Sequence, residues 1–414
     1  MSSAAHLAGF KALLTPAGQA LLADLPEVHS PTDVLRLSER LRADGWEPAV
    51  IAAALTQVKL RRRARAKFGP FAADLLYSDT GLQQATPLAV AAHHARRFQT
   101  AGCTHVADLG CGIGSESLAL AGLDIAVSAV DHDELHAALA LVNLRRFSRV
   151  TVAHQDLFSF DFSRVDGAFA DPARRDARGR QLDPNRWHPP LKAILGLRER
   201  VANLGVKVAP GIHYEHLPID AHVQWVSLGG NLIEAGIWCG ALAAEGPGRS
   251  ALLLDDGASV SYDAQVADPR ADPIEVPVCD ELGSYLAMVD PAILRAGALA
   301  TVAQQLEATL VSESISYLTC TRRPHLPGVR AFAIEAQVSA NAKKLQKELT
   351  ARNVGSVEIF SRGSGIVPDT LRRRLRLRGE RHLVVVLTRV RGKHVALLAT
   401  DVDSPREVSP DTSQ

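Results

Sequence analysis

The run Asp108-Leu109-Gly110-Cys111-Gly112-Ile113-Gly114 sets a carboxylate and three alternating glycines directly after the apolar stretch Thr104-His105-Val106-Ala107. Glycine is the residue such a turn needs, because a Cβ would block close approach of the backbone to a ligand and disfavour positive φ. Ser115 to Ala121 follow as a helix with its polar end first. Strand, turn and helix therefore stand in the order that aims helix N-terminal N–H groups at a nucleotide-type ligand. A second apolar strand, Ile125 to Val130, ends in Asp131, whose carboxylate can accept both hydrogen bonds of a ribose diol. A third, Val150 to His154, leads to Asp156, and Val165 to Ala170 leads to Asp171-Pro172-Ala173-Arg174-Arg175.

The spacing departs from the dinucleotide fingerprint, in which the last glycine would fall at position 115 or 117, where Ser115 and Ser117 stand. The glycine run resembles motif I of the class I S-adenosylmethionine-dependent methyltransferases. That resemblance implies S-adenosylmethionine as cofactor, held over Asp108, Gly110, Gly112, Gly114 and Asp131, with Asp156 meeting the adenine amino group. Two other readings stay open: NAD binding, since NAD enzymes use the same ribose-binding acid, and a sheet whose Gly and Asp residues only make turns. Asp171 and Pro172 fall at the position of motif IV and resemble the Asp-Pro-Pro-aromatic motif of enzymes that methylate exocyclic amines. There the acid and the proline carbonyl region accept hydrogen bonds from the amine while the aromatic ring stacks on the base. Here Ala173 and Arg174 replace the second proline and the ring. An arginine plane still stacks on a base or pairs with a phosphate, which makes Arg174 and Arg175 candidates for substrate contact.

Other chemistries find less support. A C5-pyrimidine methylase would need a thiol at a strand end, and the fifth strand closes Val208-Ala209-Pro210-Gly211 without one. The five cysteines form no CxxC, which argues against zinc, iron–sulfur and a disulfide framework and fits a reducing cytoplasm. His213-Tyr214-Glu215-His216 has no third ligand nearby, so no metal is expected. No apolar run approaches the ~20 residues of a membrane span, and no export signal is expected.

Around these residues the chain reads as three regions. Residues 1–100 alternate helical periodicity with Pro/Gly breaks, which predicts a helical N-terminal module. Its second helix ends in Lys59-Leu60-Arg61-Arg62-Arg63-Ala64-Arg65-Ala66-Lys67, a charge run that fits either a solvated helix end or a phosphate-contacting patch. Gln83-Gln84-Ala85-Thr86-Pro87 is read either as a loop over the cofactor or as a helix N-cap. Residues 101–258 carry a βαβ rhythm, which predicts an α/β, Rossmann-like parallel sheet. A helix over Leu191 to Leu204 precedes its fifth strand, and Leu232 to Trp238 fits strand and helix equally.

Residues 278–400 form a C-terminal region of mixed helix and strand, in which Pro291 to Leu310 and Pro368 to Arg378 read as helices. The formal net charge of +1 hides a concentration of arginines here, Arg372, Arg373, Arg374, Arg376 and Arg378. Val354-Gly355-Ser356-Val357-Glu358-Ile359 with Leu371 to Gly379 resembles the THUMP-like domain at the C-terminus of a bacterial group of class I methyltransferases, about residues 330–400 here. The resemblance implies RNA as partner, with Arg372, Arg373 and Arg376 on its binding face. The reading reached is an RNA methyltransferase acting on a base nitrogen of tRNA or rRNA, with Asp171 and Pro172 at the acceptor. A small-molecule methyltransferase and a non-catalytic cofactor-binding RNA-interaction protein are the alternatives.

Overall fold

The computed structural model describes residues 9–26, 30–172 and 183–402, with residues 175–176 and 179–180 described through their backbone. Two compact units emerge, residues 1–209 with 236–244, and residues 210–235 with 245–414.

The first unit opens with helices Pro16–Ala23, Pro31–Ala43, Pro48–Phe68, Asp79–Gln84 and Leu88–Thr100. Three of them begin at proline, whose fixed φ suits the first helical position and whose missing N–H is not needed there. At Pro31–Ala43 the Ser30 hydroxyl accepts from Asp33 N while the Asp33 carboxylate accepts from Ser30 N, a reciprocal capping box. Then come strands β1 (His105–Leu109), β2 (Ala126–Asp131), β3 (Val150–His154) and β4 (Gly167–Ala170). β5 (Arg175–Asp176) and β6 (Gly179–Arg180) pair with each other, and β7 (Leu204–Val208) follows. Within this unit the strands run parallel in the order β3-β2-β1-β4-β7. The chain reverses its direction of winding between β1 and β4, and the crevice beyond the C-terminal strand ends at such a switch point is where ligands bind in this architecture. The α/β class expected from the sequence is what the structure has, and these five strands are parallel as expected, whereas further along the chain Gly248–Asp255 and Ala258–Asp263 pair antiparallel.

Some predicted boundaries change. The helix expected over Leu191 to Leu204 covers only Leu191–Leu195, then a 3-10 turn at Gly196–Glu199, because Leu204 already pairs with Ala168 as the first residue of β7. Glycine at 196 weakens a helix at that point. Beneath β4 and β7 lies an aromatic core of Phe98, Phe169 and Trp238, each ring at most 1% exposed. Two glycines make room for it: a Cβ on Gly167 would lie 3.0 Å from the Phe98 ring, and one on Gly205 2.6 Å from Trp238.

In the second unit β8 (His222–Leu228) and β10 (Gly248–Asp255) pair in parallel, and β11 (Ala258–Asp263) pairs antiparallel with β10. β9 (Asn231–Trp238), ambiguous in the sequence, is a strand, and its last three residues belong to the first unit. The single helix expected over Pro291 to Leu310 is two, Pro291–Ala296 and Leu299–Leu306, separated where Gly297 takes φ +76°. A seven-stranded sheet contains β12 (Tyr285–Val289), β13 (Thr309–Ser312), β14 (Ile315–Cys320), β15 (Val329–Ser339), β16 (Val354–Ser361), β17 (Arg381–Val390) and β18 (Lys393–Asp401). Its order is β13-β14-β12-β15-β18-β17-β16.

β17 is buried on both faces. Leu383, Val385 and Leu387 pack with Leu345, Leu349 and Leu371 of helices Ala342–Ala351 and Pro368–Arg374, whereas Val384 and Val386 join Phe332 and Leu286 on the opposite side. This alternation is the two-residue period of a strand.

One buried polar side chain ties the helical region to the glycine turn. Asn143 Oδ1 accepts from Leu76 N at 2.8 Å, and its Nδ2 donates to Leu76 O at 3.0 Å and Ile113 O at 2.9 Å. Replacing it by leucine of similar shape orphans three backbone groups, each costing ~1–3 kcal/mol when buried. Urea denaturation of Asn143→Leu should accordingly show a loss of several kcal/mol, and a loss below ~1 kcal/mol would mean that the bridge is dispensable.

Candidate active site

The glycine turn is held from β2. Gly110 N and Cys111 N both donate to Val130 O, at 2.9 and 3.0 Å, and Gly112 N donates to Asp131 Oδ2 at 2.8 Å. Gly110, Gly112 and Gly114 have φ of +84°, +55° and +92°, a region that residues with a Cβ rarely enter. Gly114 caps the helix Ser115–Gly122, and a Cβ on it would stand 3.0 Å from Leu144. A Cβ on Gly110 would lie 3.3 Å from Asp171 O, so the end of β4 runs directly beside the turn.

Asp131 is 5% exposed, and both of its oxygens are engaged, Oδ2 by Gly112 N and Oδ1 by Asp133 N at 2.8 Å. Asp156 is exposed and accepts from Phe158 N at 2.8 Å, starting the short 3-10 turn Leu157–Ser159. Asp108 is 1% exposed and faces inward, where Ser117 donates both Oγ, at 2.6 Å, and N, at 3.1 Å, to its Oδ2. Burial raises its carboxyl from the usual 3.8 to about 7, against the pull of the Ser117 bonds, and the neighbouring charges of Glu116 and Asp171 add to the rise. Burial and the nearby carboxylates of Asp108 and Asp131 push the Cys111 thiol well up, so it is no thiolate nucleophile.

Asp171 and Pro172 sit at the C-terminal end of β4, where Asp171 N donates to Leu109 O of β1 at 3.2 Å. The Asp171 carboxylate forms an ion pair with Lys207 of β7, a residue only 4% exposed. Lys207 Nζ also donates to Thr86 Oγ1 at 3.0 Å. Thr86 is thus not the N-cap of helix Leu88–Thr100, which starts at Pro87 without a side-chain cap bond. Arg174 lies outside the described residues; Arg175 is in β5.

Lys207 has no role in the expectations drawn from the sequence, although it carries a signal there. A lone lysine inside an all-apolar strand has to be paired to be buried. Nor do those expectations give a role to His94 and Glu116, which meet in the core with His94 Nδ1 3.2 Å from both carboxylate oxygens. The basic run of helix Pro48–Phe68 works inward at two of its positions, Arg61 and Lys67, and pairs at the surface at Arg63. Arg61 donates to Leu22 O and Leu75 O, Arg63 pairs with Asp79, and Lys67 Nζ donates to Leu82 O, Gln83 O and Ala85 O at 2.9, 2.9 and 2.7 Å. At Arg61 and Lys67 neither a merely solvated helix end nor a phosphate patch describes it.

In the second unit the helix expected to Arg378 ends at Arg374, with Leu375 already extended. Leu371 faces the core. Arg372, Arg373, Arg374, Arg376 and Arg378 are all exposed, and Leu375 and Leu377 are half-buried between them. Arg372 Nη2 also donates to Val357 O at 2.8 Å.

Comparison with known proteins matches this geometry to relatives. An uncharacterized S-adenosylmethionine-dependent methyltransferase of Mycobacterium tuberculosis (strain H37Rv) is 34% identical over 345 residues, 80% of this chain and 90% of the relative, and the strain CDC 1551 / Oshkosh counterpart matches equally. The chain belongs to the S-adenosylmethionine-dependent methyltransferases. A putative methyltransferase from Porphyromonas gingivalis W83, of known crystal structure, shares the fold at a TM-score of 0.71 and 19% identity, over 91% of this chain and all of that one. Residues 329–401 match a family described as THUMP domain-like, and residues 6–64 match a domain of unknown function (DUF8688). No helix among the described residues is long and apolar enough to cross a membrane.

The site of this methyltransferase suits its cofactor on two counts. A Cβ at Gly112 would meet nothing within 4 Å, leaving open space over a backbone that only glycine readily supplies, and Ser115 Oγ is buried at the head of the adjoining helix without a partner among the described residues. The raised Asp108 carboxyl has a consequence for stability. The folded chain holds that proton at pH values where the unfolded chain has released it, so stability should decline as pH rises from about 4 to 7. Asp108→Asn can keep the Ser117 bonds while removing the titration. Melting temperatures between about pH 5 and 8 should fall less steeply in the variant, and parallel curves would refute the raised value.

Proposed function

We propose that this methyltransferase acts on RNA, transferring the methyl group of S-adenosylmethionine to a base nitrogen of tRNA or rRNA in the cytoplasm. What carries this reading is the THUMP domain-like match over residues 329–401 together with the exposed arginines from Arg372 to Arg378 in the same stretch. Arginines on phosphates fix the register of an RNA without reading its sequence. The five cysteines, all free and buried, are consistent with a reducing compartment.

The cofactor supplies an electrophilic methyl on a sulfonium, and the protein has to hold the acceptor in line and keep water out. Gly110, Gly112 and Gly114 line the turn that receives the cofactor. Asp131 spends one acceptor direction of each oxygen on a backbone N–H, and the exposed His132 Nδ1 lies 3.5 Å from Oδ1; a carboxylate offers about four directions, which leaves the ribose diol to share Oδ1 with that ring. Asp156 stands exposed after β3 to meet the adenine amino group. Asp108 acts one layer beneath, tying β1 to the helix through Ser117. Asp171, beside the glycine turn and next to the buried Pro172, accepts hydrogen bonds from the acceptor amine and so turns its lone pair toward the methyl group. Arg174 and Arg175 follow Asp171 within four residues in the chain, with charge suited to a base or a phosphate.

Calorimetry should register S-adenosylmethionine binding that Asp131→Ala weakens by ~1–3 kcal/mol; unchanged affinity, or a preference for NAD, would overturn the site assignment. Tritiated cofactor incubated with RNA from cells lacking the gene should label intact RNA. Nuclease-treated RNA and a metabolite extract serve as parallel acceptors. Label in the metabolite extract alone would make the protein a small-molecule methyltransferase, and no label in any arm would leave a cofactor-binding protein without catalysis. Charge reversal at Arg373 and Arg376, which spares the Arg372 bond to β16, should weaken RNA binding. It should also flatten the salt dependence by roughly 0.7 in the log–log slope for each phosphate no longer neutralised, and superimposable curves would mean that this face is merely solvated.

A further inference from the structure

Lys207, 4% exposed, is the lysine buried in the first unit's sheet, and it meets both the site and its support. On one side it pairs with Asp171, and on the other it donates to Thr86, itself 4% exposed. Thr86 ends the loop that follows helix Asp79–Gln84, and Lys67 donates to the last-turn carbonyls of that helix, Leu82 and Gln83, and to its C-cap Ala85. Helix, loop, strand β7 and strand β4 are thereby joined in one polar chain, Lys67 to the loop, Thr86 to Lys207, and Lys207 to Asp171.

We propose that Lys207 is a positioning residue that holds the Asp171 carboxylate in one rotamer and in its ionised, acceptor-only form. Thr86 and the Lys67-braced loop hold Lys207 in turn. This rests on the reading of Asp171 as the group that orients the acceptor amine. A protonated Asp171 would present a donor to that amine and could not turn its lone pair toward the methyl group. The charges that face Asp171 include Lys207 from β7 and the Asp108 carboxyl from β1, which act in opposite directions. Lys207 in turn faces Lys67, whose ammonium is pushed down to about 8 by burial and by the charge of Lys207. Lys207 thus stands between a carboxylate that needs its charge and a second cation pressed close to it. A lysine here for packing alone would be an unfavourable choice, since a methionine fills the same space without any charge to bury.

The test uses the full chain as Lys207→Met, Lys207→Arg and Thr86→Val, with aspartate carboxyls labelled in 13C and the Asp171 signal assigned by its loss in Asp171→Asn. Wild type and Lys207→Arg should show Asp171 titrating at similar pH. In Lys207→Met it should titrate higher by about one unit or more, and in Thr86→Val higher by a smaller step. S-adenosylmethionine affinity, read by calorimetry, should stay within about threefold in all three, since none of these side chains is assigned to the cofactor. Methyl transfer to RNA should fall about tenfold or more in Lys207→Met through kcat rather than KM, with Lys207→Arg recovering part of it.

An Asp171 titration that does not move in Lys207→Met overturns the proposal, even if the variant melts at a lower temperature, because that is what a purely structural lysine would do. If Lys207→Met does not fold, Thr86→Val decides by the same titration. Should wild type label no RNA, the substrate reading fails, and the titration still judges the ion pair independently.

Discussion

Three N–H groups of the glycine turn are claimed by the end of β2, two by the Val130 carbonyl and one by the Asp131 carboxylate. Everything at the site follows from that clamp. It goes with positive φ at Gly110, Gly112 and Gly114, and it places the first turn of helix Ser115–Gly122 over the switch point of the sheet. It also sets the task of Asp131, which organises its own surroundings before it meets any ligand. On the proposed reading of Asp131, a carboxylate already fixed by backbone donors would lose little further entropy to a diol, so the clamp would also be preorganisation.

The helical N-terminal region is part of this machinery. Asn143 fastens residues Leu76 and Ile113 together, and Lys67 gathers three carbonyls at the end of helix Asp79–Gln84, just before Thr86. Arg61, which looks from the sequence like surface charge, is spent on the carbonyls of Leu22 and Leu75. A cation at the end of a long helix is well suited to such work, since its stem packs along apolar neighbours while its head reaches the loop.

What was legible in the sequence is what is local. Glycines, strand ends and the acids after them stand within a few residues of one another, so their types and spacing announce the turn, and the α/β order follows from the same rhythm. Partnerships across the fold were not legible: Lys207 meets Thr86 at a separation of 121 residues, and Asn143 meets Leu76 at 67. The helix read through to Arg378 went wrong for a different reason. Leu371 and Leu375 are spaced for a helix, yet Leu375-Arg376-Leu377-Arg378 alternates at the period of an extended chain, and the structure takes the helix only to Arg374. Five arginines in that stretch repel one another along a helix and are relieved once the chain extends.

The aromatic core beneath β4 gathers Phe98 and Phe169 from one part of the chain and Trp238 from another. Trp238 is synthesised 30 residues after Val208, the last residue of β7, which at ribosomal rates of ~5–20 residues per second is roughly 1.5–6 s later. Until then the emerging first unit has its sheet and helices but lacks the indole that Gly205 leaves room for. The nascent chain therefore passes through an interval in which an apolar notch stands open, and the completion of this core is timed by translation as well as by its own folding rate.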